Sequence, residues 1–264
     1  MPMTPFTGPW YVLLLLCAGA GLAFHLTFVR RPLPLRTRAL AALAILNVLF
    51  SVTFHVAYLT DESVRFPFWQ NLPLHLCTIT SWLLPVAVLA DRRPLRVLMF
   101  FPGVIAGALA LASAGPLYWG HPVWDPKTFF WVAHALNAVI GCLIASLGLY
   151  RPTYRDAVLA LPYTVALAGC VLPVTLLLRA TVEPGANYFF VFDPEGAGIL
   201  ELLHTMIPVP ILYEVPLLPV VLPVFLLQVA VFRALSRIRP AGSPAGSGSP
   251  STSPHGSSEA PGRS

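Results

Sequence analysis

Hydrophobic residues run along this chain in long blocks, broken by short polar loops, and not at the alternating spacing of a half-buried strand or surface helix. A helix needs about 20 mostly apolar residues to cross the hydrocarbon core of a bilayer. Seven stretches meet that need: Pro9–Val29, Ala39–Leu59, Leu72–Leu89, Leu95–Ala114, Phe129–Leu149, Ala157–Leu178 and Ile211–Phe232. They predict an all-α polytopic membrane protein, a bundle of seven transmembrane helices within residues 1–239. No basic residue precedes the first block, so it reads as a retained span and not as a cleavable leader. Residues 240–264 are Pro, Gly, Ser and Ala with little to bury, the composition of a disordered cytoplasmic tail. Between Pro184 and Pro210 the pattern is irregular: PGANYFFVFDPEG reads as a loop, and Gly196–Ile207 as a short helix, interfacial or re-entrant. That helix puts Glu201, His204 and Thr205 on one face. Pro208, Pro210, Pro216, Pro219 and Pro223 predict a last span kinked or unwound near its start.

Composition narrows the class. Only 10% of residues are charged and 56% are hydrophobic, where a soluble domain carries about a quarter charged. The net charge of +5 would suit nucleic acid, but the arginines lie in loops between apolar spans, and no nucleic-acid partner is expected. Arg30, Arg31, Arg36 and Arg38, then Arg92, Arg93 and Arg96, then Arg151 and Arg155, then Arg233, Arg237 and Arg239 occupy alternate connections. The other connections hold Arg65, Lys127 and Arg179 beside Asp61, Glu62, Asp125, Glu183, Asp193 and Glu195. Because Lys and Arg accumulate in cytoplasmic loops, the N-terminus is predicted outside the cell membrane and the C-terminus in the cytoplasm. Trp10, Tyr11, Tyr58, Trp69, Tyr118, Trp119, Trp124 and Trp131 gather at the outer side, as an interfacial belt does. Gly103 and Gly107 form a GxxxG pair suited to close helix approach. The four cysteines lie in apolar segments and offer no disulfide framework; Cys142 and Cys170 are read as small packing residues, and Trp82 as a packing residue.

Polar side chains at membrane depth are costly and mark candidate sites. The segment NLPLHLCTITS, Asn71–Ser81, opens with a proline and then places His75, Cys77, Thr78 and Thr80 close together. At a rise of about 1.5 Å per residue, His75, Cys77, His55 and His134 all lie roughly 6–9 Å below the outer surface. Glu214 falls at a similar level, Asn187 and Tyr188 lie in a loop able to cap that layer, and Asn137 is one turn from His134. Asn47 is a further candidate for supporting hydrogen bonds. If Leu72–Leu89 is helical throughout, His75 and Cys77 point about 200° apart and Thr78 shares the His75 face. Cys77 would then pair with a histidine from another span, such as His134. For His55 the favoured reading is the blander one, a bond to a backbone carbonyl of a neighbouring helix.

The LPLHLC segment (Leu72–Cys77), His134 within FFWVAHALN, and the Asn187–Tyr188 loop before a proline-interrupted last span resemble the YwaF-like bacterial integral membrane proteins. Those look distantly similar to the eukaryotic transmembrane acyltransferases that move fatty acyl chains between phospholipids. The resemblance runs to about Phe232 and implies a lipid-acyl site near the outer leaflet. In those eukaryotic relatives the nucleophilic cysteine directly follows the proline; Leu74 stands there in this chain. An acyltransferase or lipid hydrolase acting on membrane lipid would use His134 as base, His75 as second base or oxyanion stabiliser, and Cys77 or Thr78 as nucleophile. Asn187, Tyr188, Glu214, Asn137 and His55 are the candidate substrate contacts. A non-enzymatic binding protein or permease is the alternative, favoured by the broken last span but not by the lack of an internal repeat. A metal-dependent hydrolase built on His55, His75, His134 and Glu214 is the third reading. The chain has no His pair at i, i+4 of the kind that binds metal on a helix, so no metal and no cofactor is expected.

Overall fold

The computed structural model describes residues 2–62, 68–196 and 198–237 of the chain. Arg65, Arg239 and the tail 240–264 lie outside the described residues. The described chain is mostly helical: α1 (Gly8–Phe28), α2 (Leu33–Leu59), α3 (Leu76–Leu89), α4 (Arg93–Leu98), α5 (Val104–Ser113), α6 (Phe129–Ser146), α7 (Tyr154–Thr181), α8 (Gly198–Met206) and α9 (Leu217–Arg237). A π-helical turn, Met99–Gly103, joins α4 to α5, so Arg93–Ser113 acts as one apolar segment. Among the described residues, six helical segments are long and apolar enough to cross a membrane. The protein is a multi-pass membrane protein.

The third predicted block departs from expectation. It is helical only over Leu76–Leu89, 14 residues, about 21 Å at the helical rise and short of a hydrocarbon core near 30 Å. Residues 71–75 form turns instead, with the Leu74 N–H donating to the Leu72 carbonyl. Pro73 in the first turn removes a donor and fixes φ, and His75 takes an extended conformation as the N-cap residue. Irregular backbone at this depth survives only where protein covers it. Tyr188 supplies that cover, its hydroxyl accepting from the Leu72 N–H at 3.1 Å and donating to the Trp69 carbonyl.

Helix α6 is buried on nearly every face and packs against α1, α2, α3 and α5. Close approach is built in by glycine. A Cβ on Gly107 would lie 2.7 Å from the His134 carbonyl oxygen, and one on Gly141 would lie 2.7 Å from that of Met99. Gly103, the other member of the pair, faces Thr80 of α3. The π turn contains Pro102, and Gln228 of α9 donates from Nε2 to the Phe100 carbonyl at 3.3 Å. Helices α7 and α9 pair at one side of the bundle. The last helix begins at Leu217, preceded by a 3-10 turn at Leu212–Glu214 and by Ile211 with φ of 69°. The irregular start expected from the prolines is therefore a separate turn ahead of α9.

The two ends of the bundle differ in chemistry. At one end arginines hold backbone carbonyls after α6: Arg36 donates to Leu147 O at 2.8 Å and Arg96 to Leu149 O at 2.6 Å. Arg93 grips Asp156 through two bonds, Nε to Oδ1 at 2.8 Å and Nη2 to Oδ2 at 2.6 Å. Asp156 also completes a capping box with Thr153 that starts α7. The other end is aromatic: Trp10 donates to Leu111 O, Trp119 to Ala114 O and Trp131 to Tyr118 O. The N-terminus belongs to this second end, where Pro2–Met3 pairs antiparallel with His121–Pro122.

Asp156→Ala is expected to destabilise the protein by about 2 kcal/mol. The value lies below that of a fully buried pair because Arg93 stays half in water. Thermal unfolding in detergent micelles checks it; a melting temperature equal to wild type would show that the α4–α7 clasp carries no stability.

Candidate functional site

The start of α6 is set by a compact turn. Asp125 accepts from the Lys127 N–H at 2.8 Å, and Thr128 donates to the carbonyls of Val123 and Asp125. The Lys127 ammonium lies 2.6 Å from Asp61, just beyond the end of α2. This tie sets the register between His55 on α2 and His134 on α6. His134 is buried and donates from Nδ1 to the Phe130 carbonyl at 2.6 Å. A carbonyl only accepts, so the proton is assigned to Nδ1, and Nε2 carries the lone pair. His55 is arranged likewise, Nδ1 donating to Ser51 O at 2.7 Å. It thus bonds a carbonyl of its own helix and not of a neighbouring one.

A narrow crevice between α2, α3 and α6 is lined by Ser51, Cys77, Thr78, Ser81, Ala133, His134 and Asn137. It is too tight to hold a water molecule in this conformation. Cys77 and Thr78 line the crevice together, whereas His75, the extended N-cap residue of α3, does not line it and packs on Tyr188 and Phe190. The Cys77 sulfur is 3.9 Å from the Thr78 hydroxyl. Asn137 donates from Nδ2 to Thr80 Oγ1 at 3.1 Å and to Cys77 O at 3.2 Å. That carbonyl orients the amide, leaving Asn137 Oδ1 buried with no partner among the described residues. Asn47 donates to Ser81 Oγ at 2.7 Å, and the Trp82 indole N–H to Ser51 Oγ at 3.0 Å. Trp82, read from sequence as a packing residue, makes a polar contact.

Above the crevice lies an aromatic layer. Tyr118 stacks on Phe130 with centroids 3.9 Å apart, Phe130 packs on His134 at 4.2 Å, and Phe54 on His55 at 4.1 Å. Burial raises the Tyr118 phenol far above its ordinary pKa, and Cys77 and Glu195 are close enough to add to the effect. His75 lies within electrostatic reach of both His55 and His134. Its ring is clasped by Tyr188 and Phe190, with centroids 5.3 and 5.2 Å away.

The clasp belongs to a loop organised by Asn187. Its Oδ1 accepts from the N–H groups of Phe192 and Asp193, while Nδ2 donates to Asp193 O at 2.6 Å and Glu195 Oε1 at 2.7 Å. Burial raises the Glu195 carboxyl, opposed by the Asn187 bond, and pushes the Tyr188 phenol up to about 12. Phe189 and Phe190 both take positive φ, 59° and 62°, a conformation that costs a bulky residue about 1–3 kcal/mol. Arg179 over the Phe192 ring and the Tyr213 hydroxyl donating to Phe190 O hold the loop in place.

Residues expected at the site thus divide. Cys77, Thr78, His134 and Asn137 share the crevice, with His55 and His75 nearby. Asn187 and Tyr188 build the loop over His75. Glu214 does not line the crevice, and its buried Oε1 has no partner among the described residues. Arg179 donates to Ala186 O at 2.9 Å. His204 packs on Tyr213, 5.0 Å between rings. Cys17 is buried, whereas Cys142 and Cys170, expected as packing residues, are exposed on the bundle surface. Among the described residues no group of three or more His, Cys, Asp or Glu side chains is placed to hold a metal ion.

A family model described as the TMEM164 family matches residues 3–229. The chain belongs to the TMEM164 family. The match covers every helix named above except the end of α9, and with it the whole crevice and its covering loop. No curated protein and no solved structure matches the chain. Within this family member the crevice also contains Ser51 and Ser81, which sequence reasoning passed over. Serine is common in membrane helices, and only packing of α2 against α3 makes these two neighbours.

Proposed function

We propose that this protein carries out acyl transfer or hydrolysis on membrane lipid, with Cys77 as nucleophile and His134 as base. One observation carries the reading: the Cys77 side chain and an imidazole held with its Nε2 lone pair free share a crevice between separate helices. A thiol is a weak nucleophile until a base takes its proton, and the bond to Phe130 O orients His134 for that role. The Thr78 hydroxyl beside the sulfur is the alternative nucleophile. The likeness of LPLHLC to the YwaF-like proteins, and through them to phospholipid acyltransferases, supports a lipid acyl substrate. With Leu74 at the position of their nucleophile, that role passes to Cys77, two residues beyond His75.

In this reading seven segments cross the membrane, with the aromatic end outside and the arginine end in the cytoplasm. The short α3 completes its crossing through the turn at residues 71–75, under the cover of the Tyr188 loop. The site then lies toward the outer leaflet, with the Tyr188 loop covering His75.

The test uses purified protein in phosphatidylethanolamine vesicles with one labelled acyl chain and a lysophospholipid acceptor. Labelled free fatty acid reports hydrolysis and labelled diacyl lipid reports transfer. Cys77→Ala should abolish both, together with a hydroxylamine-sensitive acyl adduct seen by intact-protein mass. Full turnover in that variant would remove Cys77 from the mechanism, and loss in Thr78→Val instead would pass the role to the threonine.

A further inference from the structure

We propose that the hydroxyls of Ser51 and Ser81 form the oxyanion hole of this site, held in aim by Trp82 and Asn47. The proposal rests on the acyl-transfer reading above and deepens it. Acyl transfer builds negative charge on the carbonyl oxygen, and donors fixed in advance around that oxygen supply much of the rate. The crevice contains two such donors. An indole N–H can only donate, so Ser51 Oγ accepts from Trp82 at 3.0 Å and its own proton is directed elsewhere. Ser81 Oγ likewise accepts from Asn47 Nδ2 at 2.7 Å.

A helical serine or threonine commonly returns its proton to the carbonyl four residues back. Thr53 and Thr80 do this, donating to Leu49 O and Leu76 O, each at 2.8 Å. Neither Ser51 nor Ser81 makes such a bond among the described residues. For Ser81 the reason is visible: the carbonyl four residues back is that of Cys77, already taken by Thr80 Oγ1 at 3.0 Å and Asn137 Nδ2 at 3.2 Å. Both serines are almost fully buried and line the crevice with Cys77 and His134.

The step then balances. His134 Nε2 takes the thiol proton, and the Cys77 sulfur bonds to the ester carbonyl carbon. The carbonyl electron pair moves onto oxygen, which accepts from the two serine hydroxyls. Its collapse restores the double bond and breaks the bond to the lipid alcohol, which leaves with the proton returned by His134. Ser51 and Ser81 touch the reacting oxygen and are catalytic residues; Trp82 and Asn47 are positioning residues.

In the vesicle assay above, Ser51→Ala and Ser81→Ala should each lower kcat by about 10²-fold and leave KM within about threefold of wild type. An acyl trifluoromethyl ketone, which forms an oxyanion adduct with the thiolate, should lose affinity in parallel, while the matching saturated alcohol binds as before. Trp82→Phe keeps the ring and removes the N–H, so kcat should fall about tenfold with KM unchanged; it decides the matter if a serine variant does not fold. Serine variants with wild-type kcat, or ketone and alcohol weakened equally, would overturn the oxyanion hole alone. Absence of turnover in the wild-type protein would overturn the acyl-transfer reading and this inference with it.

Discussion

His134→Gln is expected to lower lipid turnover by about 10³-fold while leaving the protein folded. A positioned general base contributes about 10²–10⁴-fold, and His134 is the one base lining the crevice with Cys77. Glutamine approximates the volume of imidazole and retains an amide to donate toward Phe130 O, so α6 keeps its packing. What it lacks is a group that takes a proton at neutral pH. The same change at His55, which does not line the crevice, should cost less than about 10²-fold, the lower bound for losing a base in contact with the reaction. The vesicle assay separates the two outcomes, with thermal unfolding in micelles as the folding control. Turnover within threefold of wild type in His134→Gln would end any role for this imidazole as base.

Much of the architecture was legible because membrane helices declare themselves by length and hydropathy. Six of the seven expected blocks correspond to long apolar helical segments, with ends shifted by a few residues. The arginines of alternate loops do share one end of the bundle, where they hold the carbonyls after α6. The third block was harder. Its apolar run suggests a helix from Leu72, but Pro73 and the cover of Tyr188 let the first turn unwind, so the helix starts at Leu76. Cys77 and His134 share the crevice, as pairing Cys77 with a histidine of another span requires, whereas Thr78, grouped by the wheel with His75, lines it without His75.

Long-range pairs were not legible at all. Ser81 meets Asn47, and Trp82 meets Ser51, across more than 30 residues, and no local pattern announces either contact. The loop over His75 was placed but not shaped, because two consecutive phenylalanines at positive φ contradict local preference. They are held by Tyr213, Asn187 and Arg179, each from a different position in the chain. Arg179 itself is committed to Ala186 and Phe192 by contacts that no local pattern announces.

Gly107→Val is the substitution expected to do most damage without touching a reactive group. A Cβ there would stand 2.7 Å from the His134 carbonyl oxygen and 3.2 Å from the Ala138 nitrogen. Both are backbone atoms of α6, so no rotamer change relieves the clash, and α5 and α6 must separate. Overpacking of this kind costs about 1–3 kcal/mol, and the loss here should lie at the upper end because the neighbouring seam at Gly141 is equally tight. The displaced turn carries His134, so the molecules that still fold should also lose turnover, by about tenfold. Gly169→Val is the matched control: it makes the same chemical change in α7, where nothing lies within 4 Å of the added carbon. Unfolding temperature and kcat measured on both variants test the claim. Equal behaviour of the two would mean that α5 does not set the position of α6, and that the base on α6 is held in place by α2 and α3 instead.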